Sequence, residues 1–245
     1  MEPVALQFLQ HPAAVSRTIC RLWPDCVDVG VDRRGSRLAP SCTWADDSRG
    51  SDDDAKIRHR ERMPTKREAT IEDLYRVEGK AEIVNGEIVM MAAAGGLHNW
   101  AGGEIFASLR EHARRTKSGW ALTDNAGFVV KLPKRRSFSP DVAFYVGRPT
   151  RKFFEGAPVF AVEIRSEEEY GPAAERAMAS KRADYFAAGT LAVWDVDVLR
   201  DARVRVYLAS QPDQAKTYSR GETANAEPAV PGWTFAVDDL FLPDV

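Results

Sequence analysis

Two short apolar runs and the helical segment after them constrain this chain most. The runs span Ser139–Val146 and Pro158–Arg165. Both are rich in β-branched and aromatic residues and are bounded by proline or glycine, which indicates two strands. Asp141 opens the first run, Glu163 lies near the end of the second, and Lys181 lies on the predicted helix that follows. Two acids and a lysine are therefore expected close together.

This combination of charges suits phosphoryl chemistry. Carboxylates bind Mg²⁺ or Mn²⁺, and an ammonium group offsets the charge that develops on phosphoryl oxygens. Asp141 alone has a simpler interpretation as a cap or turn residue, because Pro-Asp is common at strand starts. Glu163 is more informative, since it interrupts a run typical of a strand covered on both faces. A buried carboxylate needs a cation, a metal or a raised pKa, and a structural ion pair is the alternative.

Lys181 gives an independent indication of a site. On a helix with about 100° per residue, an apolar stripe surrounds Lys181 within about 60°, and its members are Ala174, Met178, Tyr185 and Ala188. The lysine could extend to solvent along this stripe. We favour a second interpretation, in which it partners the carboxylates or a phosphate.

Composition places the chain among ordinary globular proteins. Its 245 residues are 44% apolar and 29% charged, enough for one sizeable domain with an extension or two small domains. The net charge of −2 argues against a uniformly basic nucleic-acid binder but allows a local basic groove. No apolar run is long enough to cross a membrane. The three cysteines lack disulfide or zinc spacing, so we expect inert thiols and a cytoplasmic location.

The first 62 residues differ from the rest. Arg, Asp, Ser and Pro are scattered there without helical or strand period, and we expect a disordered extension over residues 1–62. The segment that begins at Met63 resembles a natural protein start, so we suggest that Met63 is the initiator, which an intact mass would test. Residues 63–245 are then expected to form one domain.

Local signals predict most of that domain. Thr70-Ile-Glu-Asp73 has the spacing of a capping box, so a helix is expected from about Ile71 to Val77. Asn85-Gly86 predicts a type I′ hairpin, with three pairs: Val84 opposite Glu87, Ile83 opposite Ile88, and Glu82 opposite Val89.

The remaining pattern predicts helices from His98 to about Thr116 and from Pro172 to before Gly189. Further strands are predicted at Trp120–Leu132, Leu191–Val196, Arg203–Leu208, Ala215–Ser219 and near Trp233. The fold class is α/β to α+β, with a mixed central sheet flanked by helices.

Basic residues flank the proposed site. They are Lys131, Lys134, Arg135, Arg136, Arg148, Arg151 and Lys152. Such a run is usually a solvated face, but on the side of the acids it would bind phosphates. His98, at the start of its helix, is a candidate general base or phosphate contact, with a cap or exposed residue as the alternative.

Several short motifs carry a resemblance to a known family. They are Ala81-Glu-Ile-Val-Asn-Gly-Glu-Ile88, His98, Ser139-Pro-Asp141, Ala161-Val-Glu-Ile164, Lys181-x-x-x-Tyr185 and Ala188-Gly-Thr-Leu-Ala-Val-Trp-Asp-Val-Asp197. In their order and spacing they are similar to the Uma-type putative restriction endonuclease family, within the PD-(D/E)xK nuclease-like superfamily. The resemblance covers about Thr70 to Leu240.

The resemblance implies a restriction-endonuclease-like core that cleaves DNA with Mg²⁺ or Mn²⁺. By family pattern Asp141 and Glu163 are metal ligands, Lys181 is the catalytic lysine moved onto a helix, and Glu82 is a third ligand or water-positioning group. The superfamily position for lysine, two residues after the second acid, holds Arg165, which could grip a phosphate. Family members often pair, so a homodimer is expected.

One departure from the family pattern leaves alternatives open. Glu167, Glu168 and Glu169 follow Ser166, where the family often has Ser-Pro-Ser. Acids beside a DNA-cleaving site repel phosphate. The alternatives are a nuclease-like domain that only binds nucleic acid and a structural or dimerisation module. The predicted nucleic-acid contacts are Arg165, His98, Lys134, Arg135 and Arg136.

Overall fold

The computed structural model of the chain describes residues 67–242. The expected extension over residues 1–62 and the suggested initiator Met63 lie outside this range. The described helices are α1 (Ile71–Leu74), α2 (Gly96–Thr116), α3 (Pro172–Ala187) and a 3₁₀ helix (Val237–Leu240). None of them is both long and apolar enough to traverse a membrane.

The strands, in chain order, are β1 (Ala81–Val84), β2 (Glu87–Met90), β3 (Trp120–Leu122), β4 (Phe128–Val129), β5 (Ser137–Phe138), β6 (Val142–Tyr145), β7 (Phe154–Glu155), β8 (Phe160–Ile164), β9 (Ala192–Asp197), β10 (Arg203–Leu208), β11 (Gln211–Ser219), β12 (Thr223–Asn225) and β13 (Thr234–Ala236).

Six strands form the central sheet, in the order β11-β10-β9-β8-β6-β3. The β8–β9 pair is parallel and the other pairs are antiparallel, which confirms the predicted mixed sheet. The two runs that carry the acids are neighbours, because β6 and β8 pair with Val142 opposite Val162. Three smaller sheets, β1-β2, β4-β5-β7 and β12-β13, complete the described strands.

The predicted hairpin is confirmed in every pair. Val84 lies opposite Glu87 in the β1–β2 register, and the turn residues Asn85 and Gly86 have φ of 51° and 75°, as a type I′ turn requires. The hairpin packs on the segment that contains β5, where the Ile83 amide donates to Ser137 Oγ at 2.8 Å. The sequence did not predict β5, because a two-residue strand leaves too short a pattern.

The helices follow their predicted signals with one shortening. The Thr70 capping box is present, with the Asp73 amide donating to Thr70 Oγ1 at 3.2 Å and the Thr70 amide donating to Asp73 at 3.0 Å. The prediction that α1 continues to Val77 is wrong. Its backbone bonds tighten to an i→i−3 pattern after Leu74, with the Val77 amide donating to the Leu74 carbonyl at 3.2 Å.

The stretch predicted as one strand region from Trp120 to Leu132 divides between two sheets. Trp120–Leu122 joins the edge of the central sheet, whereas Phe128–Val129 joins the small β4-β5-β7 sheet. A turn at Asp124 and Asn125 separates them, with φ of 65° at Asn125. The turn directs Asp124 toward the end of the sheet where Asp141 lies.

The central sheet is covered on both faces. One apolar cluster joins α2 and the C-terminal segment to the sheet and includes Ile105, Val162, Ile164, Trp194 and Trp233. The second cluster joins α3 and the small sheet to the opposite face and includes Phe128, Phe138, Tyr145, Tyr185 and Val193. Alternation along β8 therefore turns Val162 and Ile164 toward α2 and turns Glu163 toward α3.

Candidate functional site

The pairing of β6 and β8 brings Asp141 to the end of β8. The Asp141 amide donates to the Val162 carbonyl at 3.1 Å. In return the Ile164 amide donates to Asp141 Oδ2 at 2.7 Å. The carboxylate is thus fixed beside Glu163, and both acids line one cleft.

Glu163 faces two donors from α3. Lys181 Nζ lies 2.8 Å from Glu163 Oε2, and the Tyr185 hydroxyl donates to Oε1 at 2.6 Å. Lys181 and Tyr185 are four residues apart, so they lie one above the other on the same helical face. The side chain of Glu163 is only 13% exposed. Lys181, in the apolar stripe of α3, thus contacts the Glu163 carboxylate.

Glu82 joins the hairpin to this cluster. It is buried, and its Oε1 accepts from the Ser139 amide at 2.9 Å and lies 3.1 Å from Lys181 Nζ. Its Oε2 accepts from Arg135, whose Nε also donates to Asp184 at 2.8 Å. Lys181 therefore bridges Glu82 and Glu163, which fixes the ammonium group between two carboxylates.

Two residues that the sequence did not single out complete the surroundings of Asp141. Lys80 Nζ lies 2.5 Å from Asp141 Oδ1 and 2.6 Å from Asp124 Oδ1. His98 Nε2 lies 3.3 Å from Asp141 Oδ2. For Lys80 and Asp124, the sequence offered no signal of a site beyond their positions. Lys80 directly precedes the predicted hairpin, and Asp124 lies in a turn after a predicted strand.

Burial and charge set the protonation of these groups. The pKa of Glu163 is raised to about 7, mainly by burial and also by the nearby Asp141 and Glu82 carboxylates, against the opposing effect of Lys181. Burial would also raise the pKa of Asp141, but its His98 hydrogen bond and the Lys80 charge outweigh burial and hold that pKa well below its usual range.

The pKa values of His98 and Glu82 both shift in the direction that favours the charged form. Burial opposes a charge on His98, but the hydrogen bond to Asp141 outweighs it and raises the pKa of the imidazole. Burial likewise opposes ionisation of Glu82, and the charges of Lys181 and Arg135 outweigh it and lower that pKa. Among the three central acids Glu82, Asp141 and Glu163, only Glu163 therefore has a raised pKa, because the positive charges near it do not outweigh the effect of burial.

The cluster opens into a cleft of about 270 Å³. The cleft is lined by Lys80, Met91, the alanines 92–94, His98, Asp124, Asp141, Glu163, Ile164, Ser166, Glu168, Glu169 and Lys181. The acidic segment after Ser166 thus contributes Glu168 and Glu169 to the wall. A larger cleft of about 600 Å³, between the end of α2 and β3, contains none of the predicted site residues.

The donors of the cleft can be compared with the needs of a metal ion. Within residues 67–242, no group of three or more His, Cys, Asp or Glu side chains is arranged to hold a metal. Mg²⁺ keeps several waters and often uses only one or two carboxylates. A carboxylate oxygen has two lone pairs, so one that accepts a single hydrogen bond can still bind a cation. This applies to Asp141 Oδ1 and to both oxygens of Glu163, whereas Asp141 Oδ2 faces both the Ile164 amide and His98. These hard oxygen donors fit one hydrated Mg²⁺ or Mn²⁺.

Arg165, predicted to contact phosphate, lies away from the cleft. Its guanidinium is 1% exposed and donates to both oxygens of Asp195, at 2.6 and 2.7 Å. A second carboxylate, Glu175, accepts from Nη2 at 3.0 Å. Periodicity alone could not separate this role from a phosphate contact, because Asp195 lies on the next strand of the sheet.

The basic loop before Asp141 faces the hairpin more than the cleft. Arg135 is buried in the Glu82 network described above, and exposed Arg136 pairs with Glu68 at 2.5 Å. Lys134 is exposed and its carbonyl accepts from the Asn85 amide at 2.6 Å. Of the five predicted nucleic-acid contacts, His98 alone lines the cleft.

Comparison with known proteins identifies the family. The family model of Uma2, described as a putative restriction endonuclease, matches residues 69–238. A solved structure, described as a putative nuclease belonging to DUF820 from Anabaena variabilis ATCC 29413, is similar with a TM-score of 0.58 and 16% identity, covering 71% of this chain and 97% of that chain. At this identity the likeness shows the fold, and it confirms the expected restriction-endonuclease-like class. A search of functionally curated proteins found no match.

The family match spans about two thirds of the chain and includes every residue predicted for the site. It confirms the resemblance that the hairpin, acid and lysine motifs indicated. The chain therefore belongs to the Uma2 putative restriction endonuclease family.

Proposed function

We propose that this protein is a Mg²⁺-dependent endonuclease that hydrolyses phosphodiester bonds in DNA. One observation carries the proposal: Asp141 and Glu163, on paired strands, line one cleft with Lys181, which lies 2.8 Å from Glu163. Membership of the family supports a nuclease-like function. The hard oxygen donors of the cleft support a divalent metal.

Each residue has a defined task in this proposal. Asp141 and Glu163 would hold the ion, which when bound polarises the phosphate and lowers the pKa of an attacking water. Lys181 presents a charged ammonium group for the negative charge that develops on the phosphate. Glu82 positions Lys181 through the 3.1 Å contact. His98, whose pKa is raised by its hydrogen bond to Asp141, can contact a phosphate oxygen or transfer a proton.

The acidic wall favours a second candidate, a nuclease-like domain that binds nucleic acid without cleaving it. Glu168 and Glu169 line the cleft and repel a phosphate backbone. In this alternative DNA affinity would depend on salt but not on the divalent ion. The wild type would then cleave no DNA, and Asp141→Ala would give the same result in the cleavage assay.

The test is calorimetric titration of Mn²⁺ into the full chain, in wild type and in Glu163→Ala. We expect the wild type to bind about one ion and the variant to lose binding. Glu155→Ala, at an exposed acid on β7, is the matched control and should bind as the wild type does.

Cleavage of plasmid and single-stranded DNA would follow, in wild type and in Asp141→Ala. The proposal requires that cleavage needs Mg²⁺ and disappears in the variant. Cleavage that survives Asp141→Ala would contradict it. A wild type that binds no Mn²⁺, even with DNA present, would also exclude it.

A further inference from the structure

Asp124 and Asp141 share a single, partly buried ammonium group. Lys80 Nζ lies 2.6 Å from Asp124 Oδ1 and 2.5 Å from Asp141 Oδ1. The side chain of Lys80 is 14% exposed although lysine normally extends into water. Ordering such a long side chain costs conformational entropy, so the two carboxylates must offset that cost.

The backbone fixes all three members of this contact. β3 and β6 are antiparallel with Leu122 opposite Ala143, which brings Asp124 beside Asp141 at one end of the sheet. The Asn125 amide donates to Asp124 Oδ1 at 2.8 Å and holds the carboxylate in its turn. Lys80 comes from the base of the hairpin, where its carbonyl accepts from the Met91 amide at 2.9 Å. The contact is therefore built by three separate elements.

Two carboxylate oxygens around one positive charge are also what a divalent cation requires. In enzymes with two metal ions, the ions lie about 3.5–4 Å apart and clamp both sides of a phosphate. Asp141 is common to both halves of this site, since it lines the cleft together with Glu163 and contacts Lys80, which also contacts Asp124. All four side chains line the same cleft.

We propose that Asp124 and Asp141 form a second cation position and that the Lys80 ammonium occupies it in place of a second metal ion. This inference rests on the proposed function. One divalent ion would bind on the Glu163 side, and Lys80 would supply the second positive charge facing the phosphate. The competing explanation is an ion pair that only holds the hairpin against the sheet.

The stoichiometry of Mn²⁺ binding separates the two explanations. Lys80→Met keeps the length of the side chain and removes its charge. The full-length wild type should bind one Mn²⁺ and Lys80→Met should bind two, because the carboxylates of the second position become available. Adding Asp124→Asn to Lys80→Met should restore one, while Asp124→Asn alone should leave one. Lys80→Gln serves as a second neutral variant if Lys80→Met fails to fold, as judged by circular dichroism.

Cleavage gives an independent readout. At a Mn²⁺ concentration that fills only the first position, Lys80→Met should cleave DNA about 100-fold more slowly than wild type. Activity should recover as the second ion binds, and the double variant should not recover.

The number of bound Mn²⁺ ions distinguishes a failure of the second cation position from a failure of the proposed nuclease function. A wild type that binds one Mn²⁺ with neutral variants that also bind only one overturns the second cation position and leaves the proposed nuclease intact. A wild type that binds none overturns both. A second ion in Lys80→Met that persists after Asp124→Asn overturns the assignment to this pair of carboxylates.

Discussion

Replacing Glu163 with glutamine should stabilise the metal-free protein above pH 7. Burial raises the pKa of this carboxyl to about 7, from an ordinary value of 4.5. Below pH 4.5 the group is protonated in the folded and unfolded states alike. As the pH rises from 4.5 to about 7, Glu163 ionises in the unfolded chain before it does in the folded protein, so the free energy of unfolding falls across this pH range. Glutamine copies the protonated form and avoids the loss.

The size of the effect follows from the same two values. A pKa rise from 4.5 to about 7 corresponds to roughly 3 kcal/mol of differential stability. Partial exposure of the side chain reduces this, and we expect a gain of about 1–3 kcal/mol at pH 8. Both hydrogen bonds can persist, because the amide oxygen can accept from Lys181 and the amide nitrogen can donate to the Tyr185 hydroxyl. Lys181 also keeps its contact with Glu82.

Urea unfolding in EDTA, at pH 5 and pH 8, measures the effect. The difference between Glu163→Gln and wild type should be below about 1 kcal/mol at pH 5 and about 1–3 kcal/mol at pH 8. Glu167→Gln removes an exposed acid close by and should change stability by less than about 0.5 kcal/mol at either pH.

Equal or lower stability of Glu163→Gln at pH 8, with a normal control, would refute the reasoning. The charged form of Glu163 would then cost the fold nothing. The argument that this position needs an added cation would lose its physical basis.

Three further substitutions test the structural contacts around the site. Arg165→Met should lower the free energy of unfolding in urea by about 3–5 kcal/mol, because buried Asp195 loses its bidentate partner. Mn²⁺ affinity should stay unchanged, and a loss of affinity at full stability would instead favour a role of Arg165 in the site. Gly119→Ala should cost about 1–3 kcal/mol and lower the Tm, since the added methyl would lie 2.7 Å from the Tyr145 carbonyl oxygen, and an unchanged Tm would contradict this close approach. Thr70→Ala should cost about 1 kcal/mol through loss of the helix cap, and a neutral result would mean that the capping box contributes nothing.

The elements that the sequence predicted well are those that local patterns define. Asn85-Gly86 determines the hairpin register because few residues adopt the positive φ that a type I′ turn requires. Pro172 and Gly189 mark the ends of α3, and apolar periodicity marks its buried face. The two acids and Lys181 stood out because charged residues interrupt apolar patterns there, and burial makes such interruptions costly.

Contacts between distant segments were decided only by the tertiary structure. Lys80 and Asp141 are 61 positions apart, and Arg135 and Glu82 are 53 apart, so no local period connects them. The sequence could count cations near the acids but could not show that Arg165 neutralises Asp195 while Lys80 faces the cleft. Which basic side chain meets which acid depends on strand order and register, because these set the distances over which charges interact.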